Sequence, residues 1–161
     1  MKKLIQGILV GSTLLFGLWL GGMSQSASAA TIHTGTPTAI RGWWRTKMTK
    51  ETYYIGNEKH HIWDYQTLQI TKKHVWGMNE DGKTFKIRNV AYQVSKYHGI
   101  KVYTLLGTHT KHRKQVFAAD YDRIGDILLS VNIDVKKQSI GKPVTWYPFS
   151  GRISRTTLYP Y

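Results

Sequence analysis

The chain has 161 residues, of which 23 are Lys or Arg, 9 are Asp or Glu and none is Cys, so its formal net charge is +14 at pH 7. The lack of cysteine excludes a disulfide framework, a cysteine nucleophile and a lipid-modified cysteine. An excess of positive charge favours anionic partners, although it also keeps a secreted protein soluble.

The first thirty residues have the three parts of a secretory signal. Two lysines precede an apolar run over residues 4–20, and small residues that suit a signal peptidase follow at Ala27 and Ala29. We expect cleavage after Ala29 or Ala30, although the apolar run is also long enough for a retained membrane anchor. The expected product is secreted and extracellular, has a membrane contact only through an uncleaved signal, and suits a single domain.

After the predicted signal, residues 31–39 are rich in Thr, Gly and Pro without apolar spacing, which predicts a flexible leader. From Ile40 to Met48 the residues alternate with a period of two and place their cations on one side. This pattern predicts a first strand with Trp44 facing inward. The segment 50–65 has no clear pattern, and a helical turn is one alternative for it.

Further runs of β-branched and aromatic residues predict strands at 52–55, 67–76, 84–97, 100–106 and 115–121. Turn-forming residues lie at 79–82, 98–99 and 107–108. The clearest alternation predicts a core stripe of Ile127, Leu129, Val131, Ile133 and Val135. Short strands about a dozen residues apart, without helical spacing, predict an all-β domain over 40–161 that forms one antiparallel meander, either a barrel or a strongly curved sheet.

Residues 40–46, Ile-Arg-Gly-Trp-Trp-Arg-Thr, resemble the Arg-Gly-Thr-Trp opening of small secreted proteins of Gram-positive bacteria. They also resemble the Gly-any-Trp of the first strand in lipocalins and related calycin barrels, where an Arg near the end of the barrel covers the Trp ring. The resemblance implies that Gly42 and Trp44 close the barrel with Arg152 or Arg155. Such a cation–indole pair contributes about 0.5–2 kcal/mol. An ordinary half-buried Trp near an ordinary Arg is the alternative.

The dipeptide Gly42-Trp43 is also similar to the Gly-Trp modules with which some secreted bacterial proteins bind teichoic acids. Basic side chains concentrate in one loop, where the candidate anion-binding residues are His109, Lys111, His112, Arg113 and Lys114. Lys and Arg donate charge-assisted hydrogen bonds to phosphate, and His contributes only when protonated below about pH 6.5. The same loop is also typical of a solvated hairpin tip.

Residues for catalysis or metal binding are scarce. The acids Asp120, Asp122 and Asp126 are the only ones clustered enough for a glycosidase pair, and Arg123 and Gly125 among them favour a turn. The adjacent histidines at 60–61 and the pair at 109 and 112 supply too few ligands for zinc. We therefore predict no catalytic residue, no metal and no cofactor.

Together these features predict a secreted, non-enzymatic, monomeric binding protein that is at most loosely associated with the cell wall. Its basic face is expected to bind anionic cell-envelope polymers of the teichoic-acid type, and no nucleic acid is expected as a partner. The calycin resemblance implies the alternative, a carrier of a small apolar ligand in the barrel interior.

Overall fold

The computed structural model describes residues 31–79, 82–97, 99–111 and 115–150. The predicted signal sequence lies outside these ranges, as do His112, Arg113, Lys114, Arg152 and Arg155. The predicted roles of these residues therefore stay predictions.

The described chain forms twelve strands and one 3₁₀ turn, η1. The elements are β1 (His33–Thr34), η1 (Thr38–Ile40), β2 (Gly42–Arg45), β3 (Thr49–Ile55), β4 (Glu58–Asp64), β5 (Thr67–Ile70), β6 (Val75–Met78), β7 (Thr84–Tyr97), β8 (Ile100–His109), β9 (Val116–Ile124), β10 (Ile127–Asp134), β11 (Ser139–Ile140) and β12 (Val144–Pro148). The segment 50–65, for which sequence offered no clear structure, is thus mostly the hairpin of β3 and β4.

Eight strands close into an antiparallel barrel, because β2, β5, β6, β7, β8, β9, β10 and β12 pair in chain order and β12 pairs back with β2. Of the remaining strands, β1 pairs with β7, β11 pairs with β10, and β3 pairs only with β4. The prediction of an all-β antiparallel meander is confirmed. Closure leaves the barrel without free sheet edges.

One face of each barrel strand supplies the interior, and an eight-stranded barrel is wide enough for side chains to fill it or for one small ligand to fit. The buried core residues are Ile40, Trp44, Leu68, Ile70, Val75, Ile87, Val90, Leu105, Phe117, Ala119, Tyr121, Leu128 and Trp146. Trp44 faces inward, as its alternation with charged neighbours predicted.

A β-bulge in β7 adds an inward residue. The register with β8 shifts between Arg88 and Ala91, and Asn89 has a φ of 53°. Asn is one of the few residues that adopt this left-handed conformation at low cost. As a result Ile87 and Val90 both belong to the core.

The middle of the predicted stripe, Leu129, Val131 and Ile133, is buried on β10, but most of the stripe packs outside the barrel. Leu129 and Val131 form a second, smaller cluster with Ile124, Ile127 and Ile140. The barrel interior instead receives Leu128 and Ser130, which lie on the opposite face of the strand. Both faces of β10 are therefore buried over residues 128–131, where alternation does not show which face is inside.

Three predicted boundaries were wrong. Residues 107–108 lie within β8, because Gly107 allows close packing: a Cβ there would lie 2.5 Å from Cγ2 of Ile87. The run 67–76 is two strands joined by a turn, in which the amide of Thr71 donates to the carbonyl oxygen of His74 at 2.9 Å. The acids at 120 and 122 lie on β9 rather than in a turn.

The N-terminal part of the described chain lies against the barrel. The amide of Gly35 donates to the carbonyl oxygen of Val90 at 2.6 Å, and Thr36 Oγ1 donates to the carbonyl oxygen of Thr71 at 2.6 Å. Thr36 is only 1% exposed. Much of the segment 31–39, expected from composition to be a flexible leader, thus makes specific contacts with β7 and the β5–β6 turn.

Candidate anion-binding surface

Alternating strand direction places the ends of β2, β6, β8 and β10 at the same end of the barrel, which we call the loop end. It carries the connections 46–66, 79–83, 110–115 and 135–143. Their described lysines are all exposed: Lys47, Lys50, Lys59, Lys83, Lys111, Lys136, Lys137 and Lys142. At the other end, the connections 71–74, 98–99 and 125–126 contribute Lys72 and Lys73 in the described residues. Lys96 and Lys101, on the strands beside the 98–99 turn, are also exposed, and the loop end carries the exposed acids Glu51 and Glu58. The loop end therefore has more exposed lysines than the other end, together with some acids.

The predicted anion-binding loop belongs to this end and follows β8. His109 ends that strand, and its ring centroid lies 6.4 Å from that of Phe85 and 6.2 Å from that of Phe117. Lys111 is exposed in the turn that follows. Of the five residues predicted for this site, the described two therefore differ: His109 has aromatic neighbours, and Lys111 is open to solvent.

The opposite end of the barrel is closed around Trp44. Its indole Nε1 donates to the carbonyl oxygen of Ile40 at 3.0 Å, and the Cζ atom of Arg123 lies 5.8 Å from the ring centroid. Arg123 Nη1 also donates to the carbonyl oxygen of Ala39 at 2.8 Å. A Cβ on Gly42, which has a φ of 145°, would lie 3.7 Å from the indole nitrogen. An arginine on β9 thus makes the cation–indole contact that the calycin resemblance predicted for an arginine further along the chain.

The hairpin of β3 and β4 extends from the loop end. Its base continues β2 and β5, since the amide of Thr46 donates to the carbonyl oxygen of Gln66 at 3.0 Å and the amide of Gln66 donates to Thr46 Oγ1 at 2.8 Å. Tyr65 at this base is buried, and burial raises the pKa of its hydroxyl despite the opposing effect of the Arg45 charge. Every residue of β3 is exposed. The hairpin is therefore anchored at one end, and its β3 strand is open to solvent along its whole length.

Cross-strand pairing sorts the charges of this hairpin onto two faces, because successive strand residues point to opposite sides. We call one the basic face of the hairpin: Lys50, Thr52, Tyr54, Lys59 and His61. The other is the acidic face of the hairpin: Glu51, Tyr53, Ile55, Glu58, His60, Ile62 and Asp64. All five residues of the basic face are exposed, whereas His60, Ile62 and Asp64 are partly buried.

Contacts within each face agree with this division. Thr52 Oγ1 and His61 Nδ1 are 3.0 Å apart on the basic face. On the acidic face, the rings of Tyr53 and His60 are stacked with centroids 5.5 Å apart, and His60 Nε2 lies 3.6 Å from Oε2 of Glu58. Local desolvation and then the charges of Lys50 and Lys59 lower the pKa of His61. At neutral pH the basic face therefore carries two lysine charges and a neutral imidazole.

Side chains pack closely beside two inward glycines near the loop end of the barrel. A Cβ on Gly77 would overlap the ring of Phe85, and one on Gly107 would press on Ile87. These glycines therefore give space to neighbouring side chains rather than to a ligand. This packing gives no support to a carrier function at this end of the barrel.

The acids Asp120, Asp122 and Asp126, considered above as a glycosidase pair, do not form a solvent-accessible pair of carboxylates. Asp120 and Asp122 are each 1% exposed on the outer face of β9, and Asp120 Oδ1 accepts a hydrogen bond from Thr104 Oγ1 at 2.7 Å. Burial raises the pKa of Asp122. Asp126 lies in the exposed turn after β9.

Histidines 60 and 61 project from opposite faces of β4, so they cannot hold one ion together. No group of three His, Asp or Glu side chains suited to a metal occurs among the described residues. In the part of the chain that the structure covers, no helix has the length and apolarity that a membrane crossing requires.

Sequence reasoning predicted a strand at 52–55, which lies within β3, but it missed the pairing of β3 with β4 and the contact of Arg123. The hairpin could have been found from the opposite charges at alternating positions, Lys50 against Glu51 and Glu58 against Lys59. Arg123 gave no such signal, because its contact with Trp44 depends on barrel closure. Comparisons with protein-family models, curated protein sequences and solved structures find no match for this chain.

Proposed function

We propose that this chain is the precursor of a secreted, non-enzymatic protein that binds anionic polymers of a cell envelope, of the teichoic-acid type, through the loop end of its barrel. The observation that carries the proposal is the gathering of exposed lysines in the connections of that single end. A rigid closed barrel holds these connections together, so their charges act on one ligand surface.

The physical basis is neutralisation of a charged polymer. A protein that pairs lysines with phosphates releases condensed counterions, and its affinity falls as salt rises, with a slope of about 0.7 per contact for a flexible single-stranded polyanion. Each lysine near an anionic surface contributes about 1 kcal/mol. Several exposed lysines therefore give useful affinity without a deep pocket.

The test is retention on isolated Gram-positive cell walls across a salt series. Two adjacent lysine pairs offer matched variants, Lys136→Gln with Lys137→Gln at the loop end and Lys72→Gln with Lys73→Gln at the other end. We expect wild-type retention to fall steeply with salt, the loop-end pair to lower affinity at least tenfold, and the opposite pair to change it little. Retention that is insensitive to salt, or equal losses in both variants, would contradict the proposal.

The competing function is a calycin-like carrier of a small apolar ligand. It shares the eight-stranded barrel but needs interior space, and Phe85 and Ile87 fill the space beside Gly77 and Gly107. Native mass spectrometry separates the two functions. A co-purified apolar molecule that a competing fatty acid displaces would favour the carrier.

A further inference from the structure

The hairpin of β3 and β4 separates its charged residues by sign onto its two faces. Both lysines and the exposed histidine lie on one face, while Glu51, Glu58 and Asp64 lie on the other. A net positive charge spread over a whole surface would not need this separation. We infer that the basic face of the hairpin is the primary contact for a linear phosphodiester polymer, an inference that rests on the proposed function.

The two lysines set a length for the ligand. Lys50 pairs with Trp63 and Lys59 pairs with Tyr54, so the two cations are on different strands, separated by the Thr52–His61 pair. Four residues of strand separate Lys50 from Tyr54, which corresponds to about 13 Å at the rise of an antiparallel strand. This span separates the backbones, so one phosphate pairs with both lysines only if the two flexible side chains bend toward each other along the face. A chain with phosphates at both ends of the span pairs with both lysines without that bending.

Between the lysines the face offers contacts that suit an uncharged spacer. Tyr54 is 65% exposed, and its ring can pack on the C–H groups of a polyol or sugar while its hydroxyl forms a hydrogen bond. Thr52 and His61 add a hydroxyl and an imidazole at the centre. The class of ligand that fits is therefore a chain in which phosphates alternate with polyol or sugar units.

The acidic face of the hairpin allows an experiment that distinguishes contact by the basic face from a general effect of net charge. Glu51 and Glu58 are exposed and lie on the same two strands as the lysines, but they point away from the basic face. Replacing them with Gln raises the net charge of the hairpin by two without touching the proposed contact. Because β3 and β4 lie outside the barrel ring, changes on either face should leave barrel unfolding unchanged.

The experiment measures binding of fluorescent poly(glycerol phosphate) by anisotropy. The variants are K50Q/K59Q on the basic face, E51Q/E58Q on the acidic face and K136Q/K137Q on a barrel connection. We expect K50Q/K59Q to weaken binding about thirty-fold and to reduce the salt slope by about 1.4. E51Q/E58Q should strengthen binding by less than twofold, and Tyr54→Ser should weaken it severalfold without changing the salt slope.

Competitors define the ligand class. Unlabelled poly(glycerol phosphate) should displace the probe, inorganic phosphate at the same phosphate concentration should not, and single-stranded DNA of equal charge should compete more weakly. Failure of the wild-type protein to bind the probe overturns the proposed function itself. Wild-type binding that K136Q/K137Q weakens and K50Q/K59Q leaves intact keeps that function and overturns the hairpin contact. Stronger competition by DNA overturns the assigned ligand class.

Discussion

The hydrogen bond between Trp146 and Ser130 holds the strand that closes the barrel. Trp146 Nε1 donates to Ser130 Oγ at 2.7 Å, and the two residues are 6% and 4% exposed. β12 lies between β10 and β2, so this bond links the last barrel strand to its neighbour. Ser130→Ala removes the acceptor oxygen with little change in volume. The buried indole N–H of Trp146 then has lost its hydrogen-bond acceptor.

A buried donor without its partner costs about 1–3 kcal/mol. We therefore expect Ser130→Ala to lower the free energy of unfolding by about 2 kcal/mol. For a domain of this size that corresponds to a fall in Tm of about 8 °C. The measurement is thermal and urea unfolding followed by tryptophan fluorescence and circular dichroism.

Ser139→Ala, at an exposed position on β11, is the matched control and should change stability by less than about 0.5 kcal/mol. A double-mutant cycle with Trp146→Phe should give a coupling energy of about 1 kcal/mol or more, because the double variant lacks both donor and acceptor. If Ser130→Ala unfolds like the control, the bond does not hold β12 and the reasoning is refuted.

Three further predictions concern charged groups. Arg123→Met should lower the free energy of unfolding by about 1 kcal/mol in urea titrations, since it loses an exposed cation–indole contact and the bond to the carbonyl oxygen of Ala39; an unchanged midpoint would contradict this. Because the pKa of His61 is lowered, its charge appears only as the pH falls below about 6.5. Affinity for poly(glycerol phosphate) should therefore rise from pH 7 to pH 5, and His61→Gln should reduce that rise. The raised pKa of Asp122 means that the folded state binds its proton more tightly than the unfolded chain. The contribution of Asp122 should thus favour folding more at pH 5 than at pH 7, and Asp122→Asn should be more stable than wild type at pH 7; a less stable variant would show that the carboxylate has a partner.

The all-β meander of the barrel could be predicted from the alternation of residue types along its strands. Trp44 alternates with charged neighbours, and a strand with one buried face must show that pattern. The meander followed from the regular spacing of such runs. The β3 strand is exposed throughout and has no apolar face, so only the run of β-branched and aromatic residues at 52–55 predicted it, and its full length was not predicted. Alternation also failed to orient β10, where Leu128 and Leu129 are both buried.

Contacts that form only when the barrel closes could not be predicted from the local sequence. Arg123 reaches Trp44 because the end of β9 lies over the floor of the barrel, a consequence of register across several strands. Gly107 resembles a turn residue in sequence, yet it makes room for Ile87 inside β8. Thr36 is polar and buried, since the backbone of Thr71 accepts its hydroxyl hydrogen. Such pairings depend on residues far apart in the chain.

Binding through the lysine-rich connections of the loop end is tested most directly by an NMR titration. ¹⁵N-labelled protein is titrated with poly(glycerol phosphate), and amide shift changes are mapped onto the barrel. The account predicts changes concentrated in the connections of the loop end, strongest on β3 and β4, with little change around Lys72 and Lys73. Changes spread evenly over both ends, or centred on the Trp44 end, would contradict it.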